Sequence, residues 1–196
     1  MGGARPFIDK LELLFATELP LPKWQYYAVQ PDATGNIGMY VAGNEPSFHI
    51  PYLYNYAGEP WKAQKRIRMI MESWFRNDLM GIPGDEDGGG MSAYYAFSAM
   101  GFYPVSPGIP VYTIGSPIFS KVYIHLDNDK TFTIISNNSS WNNKYIQSAK
   151  LNGKAWDKTW FTHDDIVNGG TLELEMGNRP NRQWGTGKDA MPPSGK

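Results

Sequence analysis

A chain that reads helices first and strands second predicts a mainly α, then β fold, and three observations carry that prediction. Apolar residues recur at helical spacing up to about residue 100. Short β-branched or aromatic runs take over after Tyr103-Pro104, and turn residues bound each of them. An alternating α/β fold would interleave the two patterns. The 196 residues, 41% hydrophobic and 14% aromatic, suffice to bury a core as one domain or two small ones. The predicted division is a helical segment over 1–103, an antiparallel β region over 104–178 and an irregular tail over 179–196.

Each element has its own signal. Phe7, Ile8, Leu11, Leu14 and Phe15 share one helical face, with Pro6 suited to the first turn. A loop bearing Pro, Tyr and Trp follows through about Gly43 and exposes Leu19, Leu21, Trp24, Tyr26 and Tyr27. Pro46 opens a second apolar run with Ile50, Tyr52, Leu53, Tyr54 and Tyr56, and Gly58 is placed to cap it. From Pro60 a longer helix carries the stripe Ile67, Ile70, Met71, Trp74 and Phe75. Lys62, Lys65, Arg66 and Arg68 read as its wet face. The helix over 91–100 is apolar nearly all round, with small Ser92, Ala93, Ala96 and Ala99, so deep burial is expected. The strand readings are 111–114, 121–126, 131–136 and 172–176, with Asp127-Asn128-Asp129 and Asn152-Gly153 as turns. Beyond about Asn178 periodicity fades, which predicts poor order or a partner surface.

Composition removes several classes of function. A net charge of -1 with scattered Lys and Arg gives no electrostatic case for nucleic acid. No run approaches the ~20 apolar residues of a membrane span, and no basic-then-apolar leader opens the chain. With no cysteine there is no disulfide, zinc-thiolate site or thiol nucleophile.

The segment richest in chemistry is Gly84-Asp85-Glu86-Asp87-Gly88-Gly89-Gly90, which puts three carboxylates on a glycine-rich loop that feeds a helix. Carboxylates near unpaired helical N–H groups favour their charged form, and a charged carboxylate serves as a general base or as a ligand for a hard cation. The bland alternative is a solvated turn with Asp87 as N-cap. Glu86, between the two aspartates, reads as surface charge. Asn44 and Glu45 carry the same ambiguity: ahead of Pro46 they suit helix capping as well as metal binding.

Taken together, Gly43-Asn44-Glu45-Pro46-Ser47, His49-Ile50, Tyr52-Leu53-Tyr54-Asn55, Gly84-Asp85-Glu86-Asp87, Met91-Ser92-Ala93 and Gly101-Phe102-Tyr103-Pro104 resemble glycoside hydrolase family 92. So do Tyr112-Thr113-Ile114-Gly115-Ser116-Pro117, Tyr145-Ile146-Gln147-Ser148-Ala149 and Leu151-Asn152-Gly153. The resemblance runs over about residues 1–178. It implies a calcium-dependent exo-α-mannosidase, of α-1,2 type, that removes terminal mannose from glycans with inversion. The implied fold is the C-terminal portion of an (α/α)6 barrel followed by a small antiparallel β module, in a parent that is secreted or periplasmic. By motif match Asp85 and Asp87 fall where the family places its base, Glu45 and Asn44 in a segment that helps bind Ca2+, and His49 against substrate.

Two departures follow from the same match. Phe48 stands where the family has the first of two histidines. The family's general acid is a glutamate upstream of this segment, which Glu12 and Glu18 do not match. The expectation is therefore a C-terminal piece that is inactive alone and relies on the missing N-terminal part of its parent. The competing reading is a non-catalytic carbohydrate-binding or structural β module, with Trp141, Trp156 and Trp160 as a stacking platform.

Overall fold

Helix α1 (Ala4–Ala16) forms where the periodicity demands it and buries Ile8, Leu11 and Phe15 on one face. It belongs to a computed structural model that describes residues 2–20, 22, 24, 25 and 33–194. The chain partitions into two compact units, one of Met1–Ile50 with Met69–Ala96 and the other of Pro51–Arg68 with Phe97–Lys196.

In the first unit the end of α1 receives a small hairpin, β1 (Asn36–Ile37) and β2 (Tyr40–Val41), paired antiparallel. Phe15 stacks on Tyr40 with ring centroids 4.8 Å apart, and the Met39 N–H donates to Leu14 O at 2.9 Å. The ladder continues past the strands, because the N–H groups of Ala42 and Gly43 donate to the carbonyls of Gly35 and Thr34. These bonds fix the course of the chain into Asn44 and Glu45. Of the loop residues expected to be exposed, Trp24 is and Leu19 is half-buried, while Leu21, Tyr26 and Tyr27 lie outside the described residues.

The second apolar run is not one helix. It breaks into 3-10 turns over Glu45–Ser47 and Ile50–Tyr52, then the short α2 (Leu53–Tyr56). Pro46 and Pro51 lack an N–H, so neither can donate the bond that would carry one continuous α-helix through it. Helix α3 (Pro60–Trp74) follows as expected, with one correction. Arg68 is not on a wet face: it is 3% exposed, and its guanidinium donates to Pro117 O at 2.8 Å and Ser140 O at 2.7 Å. Gln64, one turn earlier, accepts from the Ile146 N–H at 3.1 Å. Both lie on the apolar side of α3 at i,i+4 spacing, where a polar group is tolerated only if it is bonded.

Helix α4 (Gly90–Met100) is also less buried than its composition suggests. Met91, Tyr94, Ser98 and Ala99 are buried, but Ser92, Ala93 and Ala96 face solvent. Ala and Ser at those positions make exposure cheap.

The second unit is a mixed α/β assembly built on two sheets. Strands β3 (Phe102–Tyr103), β4 (Val111–Ile114) and β9 (Trp160–Thr162) make one, in the order β3-β4-β9. Strands β5 (Lys121–His125), β6 (Thr131–Asn137), β7 (Tyr145–Leu151), β8 (Lys154–Ala155) and β10 (Gly170–Gly177) make the other, in the order β5-β6-β10-β7-β8. The predicted turns at 127–129 and 152–153 join β5 to β6 and β7 to β8. The region is not wholly antiparallel, because β10 inserts between β6 and β7, antiparallel to β7 and therefore parallel to β6. The chain reaches that slot through β8, β9 and the helix α5 (His163–Val167), which has a capping box between Thr162 and Asp165. Phe102, Phe132, Ile134, Phe161, Leu172 and Leu174 are among the core residues of this unit.

Of the two expectations for the tail, poor order or a partner surface, the described residues show a surface supplied by the chain itself. Trp184 is 5% exposed, and its indole N–H donates to Trp156 O at 2.9 Å. A buried indole with a satisfied N–H outweighs the lack of periodicity around it.

Candidate functional site

The acidic loop and the Asn44-Glu45 segment are brought together by two glycines. A Cβ on Gly84 would fall 2.0 Å from Gly43 O, and one on Gly43 would fall 2.8 Å from Gly84 N. The backbones cross in a space that admits no side chain, and Gly84 sits at φ +67, a left-handed conformation that costs other residues strain. The crossing aligns Asn44 and Glu45 with the start of Asp85-Glu86-Asp87. At the far end of the loop the contact recurs, since a Cβ on Gly90 would lie 3.5 Å from Glu45 Cγ and 4.0 Å from Glu45 Oε1.

The loop is then turned by Asp87, at φ 49, with Gly88 and Gly89 also at positive φ. Aspartate is among the few side chains that tolerate this region, and such runs cluster where function over-determines the backbone. The cap on this turn is Glu86 and not Asp87. The Glu86 carboxylate accepts from the Gly89 N–H with one oxygen and from the Ser92 N–H, at 3.1 Å, with the other. The Ser92 hydroxyl, the Ser92 N–H and the Gly89 N–H together hold the Glu86 carboxyl below the usual range. With Glu86 closing the turn, Asp85 and Asp87 are both left exposed.

Asn44 occupies the N-cap position of the 3-10 turn Glu45–Ser47 but makes no side-chain capping bond, so capping does not account for its side chain. Glu45 Oε1 is shielded from solvent. Phe48 is buried and stacks on Tyr94 at 4.5 Å and 15°, so the position where the family carries a histidine here serves packing. His49, next to it, is exposed.

The donor set offered by Asn44 and Glu45 is oxygen only, which suits a hard cation, but it falls short of the 6 to 8 oxygens such an ion takes. Among the described residues no group of three or more His, Cys, Asp or Glu side chains could hold a metal ion. Asn44 and Glu45 match a hard cation in donor type and do not by themselves complete its shell.

The alternative platform is not an open one. Lys158 Nζ lies over the rings of Trp156 and Trp160, at 5.2 and 4.7 Å. Trp141 is 64% exposed, with Lys144 Nζ 5.6 Å from its ring centre. The residues that sequence reasoning missed are Glu86 as the loop's cap and Arg68 with Gln64 as buried polar links. For the last two the signal was available in their spacing along the apolar face of α3.

Residues 1–178 match the glycosyl hydrolase family 92 catalytic domain. Over 197 aligned residues the chain is 43% identical to an uncharacterized secreted glycosidase of Arthroderma benhamiae, covering 99% of this chain and 23% of that protein. Among solved structures it resembles the family GH92 α-mannosidase BT3965 of Bacteroides thetaiotaomicron, solved with mannoimidazole, at 40% identity and a TM-score of 0.88. That match covers 96% of this chain and 24% of the other. The inverting GH92 mannosidase BT2199 of the same organism matches at 41% identity and a TM-score of 0.84, covering 98% of this chain and 27% of that one. The chain thus spans about a quarter of the length of the relatives it matches. Set beside the apposed Asn44-Glu45 segment and acidic loop, these matches establish that the chain belongs to glycosyl hydrolase family 92.

Proposed function

We propose that this chain supplies the general-base side of an exo-acting α-mannosidase site. The observation that carries the reading is the Gly43–Gly84 crossing, which sets two carboxylates on an exposed, backbone-fixed loop beside a second oxygen-rich segment. Residues 1–103 would form the end of an (α/α)6 barrel, with 104–178 as trailing strands and 179–196 as a tail. In an inverting hydrolysis one carboxylate takes a proton from water as that water attacks the anomeric carbon, while an acid on the opposite face protonates the leaving oxygen. Asp85 and Asp87 take the first role, and a glutamate from elsewhere in the protein takes the second. Without it the 196 residues alone should not turn over.

Asn44 Oδ1 and the Glu45 carboxylate would hold a calcium ion together with ligands from outside this segment. When bound, the ion would hold sugar hydroxyls and favour a distorted ring. Exposed His49 would hydrogen-bond a substrate hydroxyl, and the Phe48–Tyr94 stack makes an apolar backing for the segment before it. An α-1,2 linkage and an exported parent belong to the same proposal, and the second is supported by the secreted relative. Among the described residues no helix is long and apolar enough to cross a membrane.

The test is product stereochemistry. The full-length protein that carries this chain, given an α-linked mannobiose, should release β-mannose first, as seen by proton NMR before mutarotation, and α-1,2 should lead a linkage panel. First-formed α-mannose, or no hydrolysis of any terminal α-mannoside, would overturn the reading.

A further inference from the structure

We infer that the tail and the Trp156–Lys158 segment form a further, non-catalytic binding cleft for short neutral oligosaccharides. The tail is pinned at both ends, and the residues between the pins line one side of a cleft. At one end Asn181 Nδ2 donates to Gln147 O at 2.7 Å, and Asn181 Oδ1 accepts from the Gln183 N–H at 2.9 Å. Trp184 is buried beside it and bonded to Trp156 O. At the other end the N–H and the hydroxyl of Thr159 both donate to Ala190 O at 2.9 Å. Gly185 lets the chain turn against the sheet, because a Cβ there would sit 2.4 Å from Thr159 Cγ2. Fixing an irregular segment costs on the order of 1 to 2 kcal/mol per residue in backbone entropy, and ordered surface loops of this size often serve binding. These residues leave a cleft of 890 Å³ against the opposite wall, within the range of about 300 to 1,000 Å³ seen for small-molecule sites.

The lining selects the ligand class. Trp156 is half-buried against the core, its indole N–H is spent on Trp160 O at 3.0 Å, and Lys158 Nζ lies 5.2 Å from its ring centre, so it contributes a wall of the cleft and no free polar group. Asp157, Gln183, Lys188 and Asp189 are exposed on the rim, and their side chains engage no partner among the described residues. With Lys158 the rim holds two carboxylates, two ammonium groups and an amide, which leaves no net charge to attract an ion or a nucleic acid. Hydroxyls, each both donor and acceptor, satisfy such a mixture of carboxylate, ammonium and amide groups.

The inference depends on the proposed function only in the choice of sugar tried first. The full-length protein is titrated by calorimetry with α-linked mannotriose, with maltotriose and cellotriose as neutral alternatives and a sulfated disaccharide as the charged control. The variant Asp157→Ala/Gln183→Ala removes two exposed rim groups, and Trp156→Phe keeps a ring. We expect one neutral trisaccharide to bind at least tenfold more weakly to the double variant. Turnover of a small aryl α-mannoside should stay within twofold, and Trp156→Phe should keep most of the binding. Equal binding of every neutral sugar by wild type and double variant, or binding of the sulfated sugar alone, would overturn the cleft. Loss of aryl-mannoside turnover in wild type with the binding difference intact would sink the proposed function and leave the cleft standing.

Discussion

Replacing Gly84 by Ala tests whether the loop crossing makes the site. The new methyl carbon would lie 2.0 Å from Gly43 O and 2.7 Å from Gly43 C, whereas real Cβ contacts stop near 3.0 Å. One strand must therefore move by about 1 Å. The left-handed φ adds roughly 1 to 2 kcal/mol of strain, and relieving the overlap adds a similar overpacking cost of about 1 to 3 kcal/mol. A 1 Å misplacement at a reacting group costs on the order of 10²-fold in rate. Gly88→Ala is the control, since it shares the positive φ but meets nothing within 4 Å. In the full-length protein kcat and the denaturation midpoint are measured for both. We expect Gly88→Ala to lose only the strain, and Gly84→Ala to lose about 10²-fold in kcat and more stability than its control. Equal behaviour of the two variants would refute the claim that this close approach positions the carboxylates.

The remaining expectations concern charge. Glu86→Gln keeps the shape but turns an amide donor toward one of two N–H groups, so the turn should loosen and stability fall. Because the folded Glu86 carboxyl titrates below its usual range, its contribution is full above the unfolded value of about 4.3 and is lost as pH falls through the folded value. The gap between wild type and Glu86→Gln should therefore narrow between about pH 4.5 and more acidic conditions. Unfolding curves at pH 7, 5, 4 and 3 check this, and a constant gap would mean that charge has no part in the cap. For the metal, Glu45→Gln removes one negative charge from a shell whose affinity follows ligand charge. The expected result is inactivation at a lower chelator concentration and restoration by added calcium; unchanged sensitivity would return Glu45 to a purely structural role.

What the sequence disclosed depended on how local its causes were. The strands at 111–114 and 131–137 and the helices α1 and α3 follow from patterns within each segment, and their bounds emerged nearly as read. Strand β7 was missed because its outward positions are polar and its pairing is interrupted by a bulge opposite Glu175 and Met176. The parallel partnership of β10 and β6 has no local signature, since it depends on which slot the chain enters last. The tail misled for the same reason: Trp184 is held by Trp156, distant in sequence. Asp85, Asp87, Asn44 and Glu45, the residues of the proposed site, were legible as motifs. Their apposition was not, because it rests on two glycines forty-one residues apart whose only message is a missing side chain.

If Asp85 and Asp87 activate water, Asp-to-Asn replacement in the full-length protein should abolish that step. Asparagine keeps the volume and tolerates the left-handed backbone of Asp87, so the fold is spared while the base is lost. Asp85→Asn and Asp87→Asn should each lower kcat on a terminal α-mannoside by on the order of 10² to 10⁴-fold with the denaturation midpoint unchanged. Near-normal turnover in both variants, with a lowered midpoint, would contradict that role and make the loop a structural helix entry.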